Sequence, residues 1–225
     1  SSAKSKSQTT WICKRLSELD MPKVVSMVAE AFLTTKDSRW VAAADYGHEG
    51  SDDRLMSFTE WLARFTVTLA NCAGGEVVGA FENGDATQFT AVSISFPPET
   101  DSQEKALIKT AVRQVGRPPM FIPGGGWDVD AIARMRVFTR AAGELHHHVT
   151  GGRPHWYLNI LATDPTKQGS GAGVALIARL ASAAAKAKVA LYLETAGSSN
   201  QNFYMRRGFR IAHQIILDIG KGRPF

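Results

Sequence analysis

Between an apolar stretch and an alanine-rich one lies Gln168-Gly169-Ser170-Gly171-Ala172-Gly173, and these residues constrain the chain more than any others. Glycines carry no Cβ, so successive backbone N–H groups can turn toward one point. A helix that opens there adds its unpaired donors and the positive end of its dipole, a combination suited to a diphosphate. The same run also reads as a flexible turn that starts a helix, and the loop alone leaves both readings open. Its surroundings are orderly. Residues 155–163 read as an apolar strand, and Asp164-Pro165 marks a turn. Residues 174–186 read as a helix with Ile177, Leu180, Ala181 and Ala184 on one face. A strand is expected at 189–195, a short helix at 200–207 and a last strand at 209–219.

The rest of the chain supplies further elements. Residues 1–9 read as a polar tail and 10–16 as a short strand. Asp20 and Pro22 open a helix with Val24, Val25, Val28, Ala31 and Phe32 at helical spacing. Residues 34–50 read as a loop holding Trp40 and Tyr46, and 52–69 as a helix with Leu55, Phe58, Leu62 and Phe65 on one face. Strand-like 76–81 and 87–96 flank Asn83-Gly84, the signal of an antiparallel hairpin. Helices are expected at 102–114 and 128–148, split by the loop 116–127. No linker or repeat interrupts this order, so residues 10–225 read as a single α/β domain with an inserted helical pair at 102–148.

Composition excludes several classes. With 225 residues, 44% apolar and 21% charged, the chain is neither disordered nor fibrous. Its greasiest stretch, 174–193, is broken by Arg179, Ser182, Lys186 and Lys188, so no membrane span is expected. Cys13 and Cys72 stand too far apart for a metal knuckle, and a reducing, cytoplasmic setting is the default. A net charge of +5 permits an anionic partner without identifying one. Basic residues are scattered with no aromatic–basic repeat, which argues against nucleic acid.

Three phosphate-binding patterns compete for the glycine run. A P-loop requires Gly-x-x-x-x-Gly-Lys-Ser/Thr, and the chain contains none. The dinucleotide pattern Gly-x-Gly-x-x-Gly fails at Val174 and at Leu176, and the hairpin argues against repeated βαβ units. The third pattern, Gln/Arg-x-x-Gly-x-Gly/Ala, is met by Gln168, Gly171 and Gly173. The segment 156–169 with this signature resembles the acetyl-CoA motif of the GNAT superfamily of N-acetyltransferases. A second block follows in the expected order: Leu193-Glu194-Thr195-Ala196, then Asn200, Phe203-Tyr204 and Gly208-Phe209. Within that superfamily these blocks resemble puromycin N-acetyltransferase-like members, over residues 155–217. Ala196 departs from the serine often found there, which leaves the substrate open.

The resemblance implies a mixed, mostly antiparallel sheet whose fourth and fifth strands splay apart, with acetyl-CoA as cosubstrate and no metal. It implies cofactor contacts from Leu161, Ala162 and Thr163, from Gln168, Gly169, Ser170, Gly171, Ala172, Gly173 and Val174, and from Asn200 and Phe203. It implies an oxyanion donor in the backbone N–H at Leu161 and a general acid in Tyr204. A phenol near pKa 10 suits protonation of a departing thiolate, although Tyr204 also reads as a core aromatic beside Phe203 and Phe209. Glu194, closing a Leu-Tyr-Leu run, reads as the base that takes the amine proton, or as a strand-end carboxylate in an ion pair. The acceptor implied is a primary amine of a small molecule, with a protein N-terminus or lysine second. A non-catalytic acyl-CoA-binding module is the alternative of another class, and a monomer or homodimer is expected.

His146-His147-His148 invites a metal reading. Consecutive helical residues point about 100° apart, so all three cannot face one ion. They read instead as helix-end histidines, one of them facing the acceptor site. Trp40, Tyr46, Phe121 and Trp127 offer an aromatic wall for the acceptor, and each reads equally as core or loop anchor.

Overall fold

Alternating apolar residues on either side of the Asn-Gly turn fold as a hairpin, β2 (Glu76–Glu82) against β3 (Phe89–Phe96), with Val77 opposite Ile94. The computed structural model describes residues 9–42, 51–82, 85, 87–98, 104–120 and 127–218. The turn residues Asn83 and Gly84, the tail 1–8, Tyr46 and Phe121 lie outside them. All residues of β3 are buried, as a central strand covered on both faces requires. β1 (Trp11–Arg15) pairs antiparallel with β2, and β4 (His155–Thr163) antiparallel with β3. β5 (Ala190–Tyr192) runs parallel to β4, which completes the order β1-β2-β3-β4-β5. The sheet is mixed and mostly antiparallel, as expected.

Two helical layers cover it. On one face α1 (Met21–Phe32) and α3 (Ser51–Cys72) set Val24, Val28, Ala63 and Val67 against Val92, Ile94, Phe96 and Ile160. On the other, α6 (Ala172–Ala187) lays Ala172 and Leu176 on Val78, Ala80 and Ala91. Its next turns, Ile177 and Leu180, meet Leu158 and α7 (Ser198–Met205) through Phe203 and Tyr204. Burial of each large aliphatic side chain of this kind contributes about 1.5–3 kcal/mol.

A second core lies off the sheet. The stretch 34–50, read as a loop, contains a helix, α2 (Lys36–Ala42). Its Trp40, Val41 and Ala42 are buried against Leu55, Phe58, Met120, Ala131 and Leu217, and this packing outweighs the loop-like Thr34-Thr35-Lys36 lead-in. The expected helical pair is present as α4 (Glu104–Val115) and α5 (Val129–Thr150), but α4 rests on α3 and α5 rests on α2. Asp128 joins these pieces. Its carboxylate accepts from Ala131 N at 2.8 Å, capping α5, and pairs with buried Arg54 at 2.7 Å.

Two strands differ from expectation. β5 spans only Ala190–Tyr192 where 189–195 was expected, because β4 diverges from it beyond Tyr157. Residues 209–218 alternate like a strand yet pair with none of the described strands. Ile211, Ile215 and Ile216 stay exposed, and only Leu217 is buried, in the second core rather than on the sheet.

Candidate active site

Divergence of β4 from β5 creates the site. The strands pair from His155/Ala190 to Tyr157/Tyr192 and no further, so 158–163 of β4 have an open edge. Asp164 donates its N–H to Thr90 O at 2.9 Å, which fixes the parity of the antiparallel ladder. Positions 160, 162 and 164 therefore point their backbone groups at β3, and Leu161 and Thr163 point theirs into the gap. Ala162 is not brought to the gap: its backbone serves β3 and its side chain is buried in the core. Ser95 pairs with Leu158 and Ile94 with Ile160, so Asn159 is the extra residue of a β-bulge where the gap opens. Bulges bend a strand and re-aim its side chains. Sequence reasoning missed this one, which alternation alone does not reveal.

Past the open edge the chain turns through Asp164, whose carboxylate accepts from Thr166 N and Oγ1, and reaches the glycine run. Gly169 and Gly171 adopt φ of 82° and 97°, in the region that side chains disfavour. A Cβ on Gly171 would meet Trp11 Nε1 at 3.4 Å, and one on Gly173 would meet Thr163 Oγ1 at 3.4 Å. Ala175 is the first amide to bond back, to Gly171 O at 3.1 Å. The N–H groups of Gly171, Ala172, Gly173 and Val174 find no acceptor among the described residues, leaving four converging donors at a helix N-terminus. Gln168, Gly169 and Ser170 are exposed beside them.

On the face toward α5, alternate residues of the diverging strands gather around a carboxylate. Tyr157 and Tyr192 both donate their hydroxyls to Glu194. Asn159 donates to the Tyr157 hydroxyl at 2.8 Å, so Asn159, Tyr157 and Glu194 form a chain. Burial pushes the Glu194 carboxyl above its usual range, while the two tyrosine hydroxyls and His155 partly offset that rise. Burial and the adjacent carboxylate hold both tyrosines protonated, well above the ordinary phenol value. Glu194 is thus a hydrogen-bonded carboxylate at the mouth of the gap, in no ion pair among the described residues.

A strand that splays at a bulge, with free amides along its edge and a glycine turn into a helix, is one arrangement for a long phosphorylated thioester. The family model described as "Acetyltransferase (GNAT) family" matches residues 35–209. The chain belongs to the GNAT acetyltransferase family. Among solved structures, a histone acetyltransferase and related acetyltransferase from Corynebacterium glutamicum shares the fold, with TM-score 0.52 and 20% identity over 96% of this chain and 92% of that one. An agmatine N-acetyltransferase aligns with TM-score 0.48 and 12% identity, over 92% of this chain and 84% of that one. An aminoglycoside acetyltransferase from an uncultured soil metagenomic sample aligns at 0.41 and 12%, over 95% and 96%. No curated protein matches the sequence.

The GNAT family uses acetyl-CoA as cosubstrate, and the residues present fit it. Four unpartnered amides, a cradle that a Cβ at Gly171 or Gly173 would narrow, and the edge groups of Leu161 and Thr163 lie along one path. Tyr204 stands across the sheet from Glu194, packed on Phe203 at 5.1 Å and Phe209 at 5.5 Å between ring centroids. It belongs to the same hydrophobic cluster as Leu158 and Leu193, the residues at which the strands part. Burial raises its phenol to about 12. Phe203 carries the Arg207 guanidinium over its ring, 3.6 Å from the centroid. Asn200 is exposed and donates to Ala196 O at 3.2 Å. Of the expected aromatic wall, Trp40 is buried in the second core and Trp127 is exposed. The three histidines separate as helical geometry demands: His146 turns inward, while His147 and His148 are exposed.

Proposed function

We propose that this GNAT protein transfers acetyl from acetyl-CoA directly to a primary amine of a small molecule, within a ternary complex. The observation that carries this reading is Glu194, held by two tyrosine hydroxyls where β4 and β5 part. Bound acetyl-CoA supplies an activated thioester; the chain's own residues do the rest. N–H groups from Gly171 to Val174, with Gln168, Gly169 and Ser170 around them, hold the diphosphate. Leu161 and Thr163 pair with the amides of the pantetheine arm, and the Leu161 N–H polarises the thioester oxygen. Asn200 and Phe203 line the α7 side.

Glu194 takes a proton from the arriving ammonium so that a neutral amine attacks, and its raised pKa makes the carboxylate a better base than an exposed one. Tyr204, protonated throughout the neutral range, donates to the departing thiolate from the opposite face. No covalent enzyme intermediate is needed. Cys13 lies on β1, beneath α6 and at the sheet edge away from the gap, and burial raises its thiol, which disfavours the nucleophilic thiolate. The puromycin-like pattern of residues 155–217 favours an antibiotic or other xenobiotic amine over a protein amine.

The test is thermal denaturation with added ligands. Acetyl-CoA and CoA raise the melting temperature, while NAD and ATP at equal concentration leave it unchanged. No response to CoA contradicts the site.

A further inference from the structure

His146 touches every group that acts on Glu194. Its Nε2 lies 2.6 Å from His155 Nε2, and its ring stacks on Tyr192 at 4.8 Å and 13°. Its centroid is also 4.9 Å from that of Tyr157. The protons of this cluster can be assigned. His155 Nδ1 lies 2.8 Å from the Arg153 carbonyl oxygen, which only accepts, so Nδ1 carries the hydrogen. With His155 neutral, its lone pair lies on Nε2, and His146 Nε2–H is the donor to it. His155 is 7% exposed, so water is a poor substitute for that donor.

We propose that His146 is the positioning residue of the acetyl-transfer site: its Nε2–H satisfies His155 Nε2, which leaves the hydroxyls of Tyr157 and Tyr192 directed at Glu194. Its catalytic meaning rests on reading Glu194 as the base, whereas the hydrogen-bond lock does not. Without that N–H, the buried nitrogen of His155 recruits the nearest proton. A tyrosine hydroxyl that turns to supply it leaves Glu194, and losing that donor favours the neutral form of the carboxyl. The ionisable groups facing the pair include Tyr157 from β4, and Tyr192 and Glu194 from β5 and its continuation. Arg153 turns its guanidinium back to Thr150 O, and His148 faces His213 instead.

Two substitutions separate the hydrogen bond from the ring. His146→Phe keeps a ring on Tyr192 and removes the donor; His146→Gln keeps an N–H donor and removes the ring. The measurement is a carbon-13 titration of the Glu194 carboxyl, assigned with Glu194→Gln, which reads ionisation without requiring turnover. In His146→Phe the carboxyl titrates higher than wild type by about half a pH unit or more, and His146→Gln stays close to wild type. An unshifted His146→Phe overturns the lock, and so do equal shifts in both variants, which would assign the effect to ring packing. Should His146→Phe fail to fold, nitrogen-15 shifts of the wild-type imidazoles decide. A protonated Nδ1 and bare Nε2 on His155 support the lock, and a protonated Nε2 overturns it. Absence of acetyl transfer with the titration shift intact would refute the proposed function and leave the lock standing.

Discussion

At the scale of single residues, the proposed base Glu194 and the proposed acid Tyr204 make opposite demands on protonation. Glu194 must be ionised to accept a proton, and burial has raised its pKa. Activity therefore falls as pH drops through that raised value, and a pH profile of kcat/KM with a saturating amine locates the limb. Stability follows the reverse sense. The folded carboxyl binds its proton more tightly than the unfolded one, so its contribution is present below the ordinary carboxylate range and is lost as pH rises through the raised value. Melting temperatures across pH should show Glu194→Gln gaining on wild type over that window; parallel curves would contradict the burial argument. Tyr204→Phe lowers turnover and leaves CoA affinity nearly intact by calorimetry, since the ring still packs on Phe203 and Phe209. Equal loss of binding would make Tyr204 a packing residue.

Elements carry the cosubstrate path. Gly171 needs a left-handed backbone and sits against Trp11, so Gly171→Ala is strained by about 1–2 kcal/mol in addition to its contact. Gly171→Glu also puts a carboxylate where the diphosphate is proposed to lie, and calorimetry should find no CoA binding; retained affinity would contradict the proposed role of the loop. Much at this scale was legible in the sequence. The hairpin followed from Asn83-Gly84 and alternation, and α6 from its alanine-rich face beyond the glycines. Positions 155, 157, 192 and 194 share parity along their strands, yet which ones meet depends on the β4/β5 register and on the bulge at Asn159. Those are fixed by tertiary pairing, which no local pattern encodes. The same reason explains α2, whose helix is stabilised by contacts with α3 and α5, and residues 209–218, whose alternation finds no strand to pair with among those described.

Across the whole molecule, two cores must stay aligned for the gap to keep its shape. α5 brings His146 to the sheet while its first turn belongs to the second core, and the Arg54–Asp128 pair fastens that turn to α3. Asp128→Ala leaves the Arg54 charge buried without its partner and removes a helix cap, a loss of about 3–5 kcal/mol by denaturant unfolding. A loss below about 1 kcal/mol, as for an exposed pair, would show that this joint is not structural. The net charge of +5 has little part in the predicted recognition, which relies on backbone amides of a turn with no charged residue of its own. Acetyl transfer to an amine with Glu194 as base is tested by free-thiol release from acetyl-CoA across a panel of primary amines. The wild type should release thiol only when an amine is present, and Glu194→Gln should abolish that release while still binding CoA. Tight acetyl-CoA binding with no thiol release for any amine, peptide N-termini and lysines included, would contradict it.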